Sequence, residues 1–438
     1  MEKQTAMTRR TFLQAAATAP MLASSAVKSS AAPSLSRSSG NSAPSERIRV
    51  AMIGCGKMAN DFHLPTLIGF KDVQIVAICE VDSNRRDHAK KRVQDAYTAD
   101  GRASDCDTYV DFREALSRSD VDAVCIATPE HWHAIPIIEA CKAGKDVYCE
   151  KPLTLTLAES VRCIEAVRKH KRVMQTGSQQ RSNVFGQFRE ACEFIRSGRI
   201  GEVKSVTVGV GGPSKWCDLP EEPMEPGLDW PLWLGTAVAR PYNSALSPRG
   251  VHNHFPAWRS YREYSGGSHA DMGAHHYDIA QWAPGMDRSG PVEIVPPADP
   301  ATGAGVKFIY ANGIEMTHGG PSGCVFTGTL GTLHIDRGVL TCDKPELIAE
   351  PLRPDEVHLF QSPGHHRNWI ECIRSRKDPL CDIETGARTV AVVQLGNLAY
   401  WHGRRLKWNP EKWRFVNDKE ADGWLDRERS KEWPLPKA

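Results

Sequence analysis

The sequence lacks several features that would point to particular classes of protein. No apolar run reaches the ~20 residues that a membrane span requires. No basic run stands out beyond the N-terminal stretch, and the formal net charge of the 438 residues is only +2. Neither nucleic acid nor an anionic membrane is therefore an expected partner. None of the thirteen cysteines forms a Cys-x-x-Cys pair. An odd number without regular spacing argues against a disulfide framework and a zinc ribbon. Cys55, Cys79, Cys125 and Cys149 fall in or beside apolar strand-like runs, where a thiol acts as a small hydrophobe. Apolar and charged fractions are ordinary for a globular chain, and the length suits two or three domains with sizeable cores.

The N-terminus reads as an address. Thr8-Arg9-Arg10-Thr11-Phe12-Leu13-Gln14 is a twin-arginine pattern followed by an alanine-rich apolar run, Ala15 to Ala23, with small-residue cleavage options before Ala32. Residues 1–32 are expected to be a Tat signal peptide and the mature protein to be periplasmic or otherwise extracytoplasmic. Folded export would spare a chain with many thiols from oxidative misfolding. Residues 33–46, rich in Ser, Pro, Ala and Gly, read as a linker.

Residues 47–176 carry the marks of a doubly wound α/β nucleotide domain. Ile48 to Ile53 is a short apolar run of the kind that forms a buried parallel strand, and Gly54-Cys55-Gly56-Lys57-Met58-Ala59 follows at once. In G-x-G-x-x-A the first Gly permits a tight turn, the second admits a pyrophosphate and the third small residue lets helix pack on strand. Free N–H groups of the following helix would face the phosphates. Gly54, Cys55, Gly56, Lys57 and Met58 are thus cofactor-binding candidates. The second apolar run, Val73 to Cys79, ends in Glu80, which can bind ribose hydroxyls and repels a 2′-phosphate. NAD is expected, with NADP left open by Arg85 and Arg86. Val121 to Ala127 runs into Thr128-Pro129-Glu130-His131-Trp132-His133, and Lys145 to Cys149 runs into Glu150-Lys151-Pro152. Ligands of doubly wound sheets bind at the carboxyl ends of strands. Thr128, Pro129, His133, Glu150 and Lys151 are accordingly expected beside the cofactor. Lys151 is suited to steady an alkoxide developing in hydride transfer. The His131-x-His133 pair lacks a carboxylate or third histidine nearby, and no metal is expected.

A second centre lies at Gly266-Gly267-Ser268-His269-Ala270-Asp271-Met272-Gly273-Ala274-His275-His276-Tyr277-Asp278. If the helix is continuous, Asp271 and His275 are one turn apart on one face, and Asp278 can reach the same face. A carboxylate beside an imidazole can hold a proton-transfer base in one tautomer. The alternative is a helix end whose polar groups satisfy one another.

In this order these motifs resemble the Gfo/Idh/MocA oxidoreductase family: Gly54-Cys55-Gly56 after the first strand, Thr128-Pro129 with His133, Glu150-Lys151-Pro152, Gly266-Gly267, then Asp271 and His275. The resemblance runs from about Arg47 to past Trp401. It implies a Rossmann domain followed by an α/β domain (177–438) with a large open, mostly antiparallel sheet that often forms a dimer or tetramer interface. It implies Lys151, Asp271 and His275 as the catalytic group, and often a cis peptide bond before Pro152.

In the second domain Gly177 to Arg181 is expected to line the cleft. Gln180 and Arg181 are taken as substrate contacts with Lys151, Asp271, His275 and His276. Val184 to Ser197 has helical periodicity, and Glu202 to Gly209 alternates as a strand does. Residues 213–262 are rich in Pro and Trp, and such a long irregular stretch suggests a packed functional excursion. Its tryptophans suit sugar faces or serve only as anchors to the core. His252, His254, Arg259, Tyr261 and Arg262 border the expected pocket. Lys307–Tyr310, Gly313–Thr317, Cys324–Thr329 and Thr332–Asp336 read as antiparallel strands, and His365–Arg376 and Ile383–His402 as helices. The tail beyond Gly403 carries Trp408, Trp413 and Trp424. It is expected to wrap a neighbouring surface, another subunit's included.

The expected activity is hydride transfer between nicotinamide and a secondary alcohol of a sugar or cyclic polyol, with His275 as base, Asp271 orienting it and Lys151 on the reacting oxygen. A rival is an enzyme that keeps its NAD(P) bound and recycles it, either cleaving a glycoside or exchanging hydride between two sugars. A second rival is a sugar-binding protein without catalysis.

Overall fold

The computed structural model describes residues 46–103 and 105–438. The expected signal peptide and all but the last residue of the linker lie outside them. No described helix is long and apolar enough to cross a membrane.

Six short strands form the first sheet: β1 (Ile48–Ile53), β2 (Val73–Cys79), β3 (Asp107–Tyr109), β4 (Ala123–Ile126), β5 (Asp146–Cys149) and β6 (Met174–Thr176). All pair in parallel in the order β3-β2-β1-β4-β5-β6. β4 and β5 are buried along their whole length, as strands covered by helices on both faces must be. The order reverses at β1, so the carboxyl ends of β1, β4 and β5 open on one crevice, the usual ligand position in such sheets. Cys55, Cys79, Cys125 and Cys149 are buried and free, and burial pushes their thiols well above the ordinary range.

The second sheet has nine strands: β7 (Val203–Gly209), β8 (Pro291–Val295), β9 (Lys307–Tyr310), β10 (Glu315–His318), β11 (Gly323–Gly328), β12 (Thr332–Asp336), β13 (Val339–Cys342), β14 (Leu406–Asn409) and β15 (Arg414–Phe415). Their order is β13-β12-β11-β7-β10-β9-β8-β14-β15, and only β7 and β10 run parallel. β10 and β12 alternate buried with half-buried residues, so one face is covered and the other open. Helices Gly273–Trp282 and Ile383–His402 cover the buried face, packing Tyr277, Ile279, Val392 and Leu395 with Val206, Phe308 and Phe326.

The expected helix from Val184 begins later, at Phe188. Asn183 and Phe185 have left-handed backbones, and the Asn183 carboxamide accepts the Arg189 N–H at 2.9 Å. Residues 213–262 are packed. Trp230, Trp233, Tyr242, Leu246, Trp258 and Tyr264 form a small core of their own, which supports the anchoring role for these tryptophans, while Trp216 stays 63% exposed. The excursion lies on the nucleotide domain, where Trp132 Nε1 donates to the Leu232 and Trp233 carbonyls, both at 3.0 Å.

The tail covers this chain's own surface. Trp424 stacks on His402 and Trp433 packs edge-on to Trp132, with ring centroids 3.6 and 4.8 Å apart. Arg427 and Arg429 reach the buried Glu159 at 3.3 and 2.7 Å. Glu159 also closes the capping box of helix Leu157–Lys169 with Thr156. Replacing both arginines with Met leaves a buried carboxylate without cations. Urea unfolding is expected to show a loss of ~3 kcal/mol, and a change within ±0.5 kcal/mol, the usual range for a surface site, would show the tail to be ornamental.

Candidate active site

The glycine turn after β1 is built as its spacing requires. Gly54 has φ +84°, and a Cβ there would meet the Thr128 backbone nitrogen at 2.8 Å, so only glycine lets the turn lie against the end of β4. At Gly56 a Cβ would meet nothing within 4 Å. That open position, at the start of a π-helical turn (Ala59–His63) and the helix Leu64–Gly69, is where a phosphate would approach the backbone. Glu80 is buried at the end of β2 and lines the same cavity. Its carboxylate accepts the N–H of Cys55 at 2.7 Å and that of Asp82 at 3.0 Å, which braces the turn. Gly56, Lys57 and Met58 line the cavity. Cys55 does not: its thiol is in the core and its N–H is taken by Glu80. The residues present fit a dinucleotide.

Arg85 lines the same cavity. It is buried, donating from Nε to the Gly250 carbonyl at 3.1 Å and from Nη2 to Ser247 at 3.2 Å and to the Pro248 carbonyl. Arg86 donates to the Glu80 carbonyl at 2.9 Å. Both arginines contact the chain itself, and Arg85 also lines the cavity.

At the other end of the cavity, of about 670 Å³, the nucleotide domain meets Gly266–His275. Lys151, after β5, precedes a cis peptide bond to Pro152. Its Nζ donates to the Asp271 carboxylate at 2.6 Å and to the Asp271 carbonyl at 2.9 Å. At Asp271 the helical ladder is interrupted. The Asp271 carbonyl would otherwise accept the His275 N–H, which bonds instead to the Met272 carbonyl at 3.0 Å. The helix ends at Asp271 and a new one starts at Gly273. Asp271 and His275 both line the cavity, as side chains on one face would, but no hydrogen bond joins them. Asp271 faces Lys151 and, at 3.4 Å, Arg259 Nε. Burial pushes its carboxyl up, but these two cations outweigh burial and hold it below the ordinary range.

His275 lines the cavity, and its ring has no hydrogen-bond partner among the described residues. Burial first, then the charges of Lys151 and Arg337, hold its pKa well below the ordinary histidine value. Its imidazole is neutral at pH 7 and able to accept a proton. His133 lies between the two strand ends, with Nδ1 2.8 Å from the Pro152 carbonyl and Nε2 3.0 Å from that of Thr128. Thr128, Pro129 and Glu150 also line the cavity. Glu150 is buried with Gln179 Nε2 at 2.7 Å and His63 Nε2 at 3.2 Å. Burial raises its pKa, but the bond and charge of His63 and the charge of Lys151 bring it below the ordinary value.

Three expected substrate contacts lie elsewhere. Arg181 is buried in a two-bond pair with Asp278, at 2.7 and 2.8 Å, so neither group reaches the cavity. Gln180 is buried and its carboxamide oxygen faces Arg337 at 3.4 Å. His276 points the other way, with Nε2 3.6 Å from Asp336. His131 faces the Trp233 carbonyl at 3.0 Å. Motif reading missed Glu130, which accepts from Ser265 Oγ at 2.6 Å and from the Gly266 N–H at 3.2 Å, fastening the two halves of the site. Burial raises its pKa to about 8. It also missed Arg337, which has no local motif.

Comparison with known proteins gives the family. Residues 48–178 match the family model described as an oxidoreductase family with an NAD-binding Rossmann fold, and residues 210–435 match that family's C-terminal alpha/beta domain. The chain belongs to the Gfo/Idh/MocA family of NAD-dependent sugar and polyol oxidoreductases. It is 26% identical over 326 residues to the inositol 2-dehydrogenase of Rhizobium meliloti (strain 1021), covering 73% of this chain and 81% of that one. Two solved structures share the fold. The aldose-aldose oxidoreductase from Caulobacter crescentus, complexed with glycerol, has a TM-score of 0.55 at 19% identity and covers 83% of this chain and 100% of its own. The WlbA dehydrogenase from Bordetella pertussis, in complex with NADH and UDP-GlcNAcA, has a TM-score of 0.55 at 20% identity and covers 83% and 99%.

The open position at Gly56 gives a direct check of the cofactor site. Gly56→Ala is expected to leave the melting temperature unchanged and to weaken NAD binding by about tenfold, because the added methyl stands where the pyrophosphate approaches. Titration calorimetry with NAD reads this, and unaltered affinity would move the phosphates elsewhere.

Proposed function

We propose that this chain moves a hydride between a secondary alcohol of a sugar or cyclic polyol and NAD. One observation carries the reading: the Lys151–Asp271 pair and the unpartnered, neutral His275 line the same cavity as the glycine turn and Glu80. NAD, held by the turn and Glu80, supplies the hydride acceptor. Lys151 donates a hydrogen bond to the reacting oxygen and stabilises the negative charge that develops there. Asp271 fixes the Lys151 ammonium by accepting from it twice. His275 accepts the hydroxyl proton.

His275→Ala is expected to lower kcat by ~10²–10⁴-fold while NAD still binds; near-full turnover would remove the reading. The base must be neutral to act, and its pKa is lowered. The acid limb of kcat/KM is therefore expected below the ordinary histidine value of ~6.5, with activity held as the pH falls to that value. Arg337→Gln removes one of the charges that depress it, and the limb should move up in pH.

A second reading is favoured by the excursion. Residues 247–250 hold Arg85 beside the adenosine end of the cavity, which suits an enzyme that retains and recycles its NAD, either swapping hydride between two sugars or cleaving a glycoside. The aldose-aldose oxidoreductase of similar fold fits this reading. We also infer that residues 1–32 form a Tat signal, that the enzyme works outside the cytoplasm, where free NAD is scarce, and that it assembles as a dimer or tetramer through its open sheet. Cell fractionation and light scattering test these two points. For retention, purified protein is denatured and the released small molecules are identified by mass spectrometry. Stoichiometric NAD(H), with turnover needing no added cofactor, is expected if the nucleotide is recycled. An empty protein that requires added NAD would leave the simple dehydrogenase.

A further inference from the structure

We infer that the substrate is a glycoside and that Phe185 is the platform for the ring joined to its reacting sugar. The inference rests on the sugar or polyol reading above and gives that sugar a second ring. Phe185 lines the cavity with Lys151, Asp271 and His275, and 46% of it is exposed. Its backbone is left-handed, with φ +76°. A bulky aromatic with such a backbone is an outlier, and the strain persists only where the surroundings impose it. Here the Gly338 N–H donates to the Phe185 carbonyl at 2.9 Å and fixes the loop against the turn after β12. Asn183 is left-handed too, but its carboxamide bonds the Arg189 N–H and the Glu190 carboxylate. Trp413, with φ +52°, packs its ring against both large cores. The ring of Phe185 does neither. It meets the guanidinium of Arg337, whose carbon is 4.7 Å from the ring centre, and nearly half of the side chain is left open. Strain and exposure both favour glycine at this position. A phenylalanine that bears both, in the wall of a cavity, is explained by an apolar surface that the cavity takes in.

The nucleotide does not account for that surface. Phe62, Val110 and Phe255 are exposed apolar side chains that also line the cavity. Phe62 lies in the turn that follows the glycines, and Val110 follows β3 beside Glu80. Phe255 has Lys57 Nζ, from the glycine turn, 5.3 Å from its ring centre. All three lie along the path of NAD. Phe185 belongs instead to the wall built by the large sheet, through Gly338 and Arg337. That wall is close to the chemistry, because the charge of Arg337 acts on both Asp271 and His275 while its guanidinium lies against Phe185. Among the described residues Phe185 makes no ring contact with His275 itself. A sugar whose hydroxyl bonds Lys151 and His275 therefore leaves Phe185 uncovered, and the ring attached to that sugar reaches it past Arg337. An aromatic face suits the C–H face of a pyranose or the ring of an aromatic aglycone. The Arg337 N–H groups beside it suit hydroxyls.

The test uses the full chain with NAD present, as wild type, Phe185→Gly and Phe185→Tyr. Calorimetry compares glucose, galactose and mannose with their methyl and phenyl glycosides, and with cellobiose and lactose. In the wild type a phenyl glycoside or a disaccharide is expected to bind at least about tenfold more tightly than the matching methyl glycoside. The larger of the two gains assigns the second ring as aglycone or sugar. In Phe185→Gly that preference should disappear while the methyl glycoside still binds. The melting temperature should not fall, because glycine accepts the left-handed backbone. Phe185→Tyr, which keeps the ring, should retain the preference. Equal affinity for one-ring and two-ring ligands in the wild type, or a preference that survives Phe185→Gly, would overturn the inference. A clear fall in the melting temperature of Phe185→Gly would make Phe185 a packing residue and overturn it too. Turnover of free sugars without a second-ring preference would sink this inference and leave hydride transfer standing. A second-ring preference without any turnover would do the reverse, and binding of none of the ligands would sink both.

Discussion

The bond from Lys151 to Asp271 is the constraint on which the site depends. Lys151 comes from the end of β5 and Asp271 from the second half of the chain, so the pair joins the two domains at the reacting end of the cavity. It also decides local structure. The ammonium bonds the Asp271 carbonyl as well as the carboxylate, at the point where one short helix ends and the next begins at Gly273. His275 then opens on the cavity with its ring unpartnered. One cation thereby holds the acid and adds to the burial that depresses the proton affinity of the base.

Around this bond the chain supplies support of an ordinary kind. His133 lies between the carbonyls of Thr128 and Pro152 and, as a neutral ring, donates to one of them. Glu130 reaches across to Ser265 and Gly266. Arg427 donates to Thr236 of the excursion at 2.7 Å and pairs with Glu159 of the nucleotide domain. The contacts of Glu130 and Arg427 span long sequence separations, so the site is assembled from both domains and the tail.

That dependence explains what could be read from the sequence. The strand–glycine–helix unit at Ile48–Ala59 is local, and each residue acts through its own backbone, so spacing suffices. The alternation of β9 to β12 is local too, and those strands fall within a residue or two of expectation. The family motifs placed Lys151, Asp271 and His275 in one cavity. Asp271 and His275 share that cavity but are not paired, because the Asp271 carboxylate is taken by a lysine 120 residues away. Arg181 looked like a cleft residue because polar residues after a strand end usually are. Its partner Asp278 is 97 residues distant and turns it inward. Gln180 and His276 failed similarly, since burial is a property of the packed chain. Glu130 and Arg337 carry no motif at all. The tryptophans of 213–262 suited either sugar or core, and only their mutual packing favours the core.

The helix Ile383–His402 has a consequence of a different kind. Ile383, Ala387 and Val390 belong to the core of the nucleotide domain, whereas Val392, Val393 and Leu395 belong to the core under the large sheet. A single rod of backbone is thus shared by two interiors. Neither interior can melt without stripping half of that rod, so the two domains behave as one cooperative unit rather than as beads on a string. The same sharing limits how such proteins can be recombined. A nucleotide domain exchanged with a relative's must match the first turns of a helix encoded more than two hundred residues after it, and modular shuffling at the apparent domain boundary near residue 177 would separate surfaces that are complementary only within one chain.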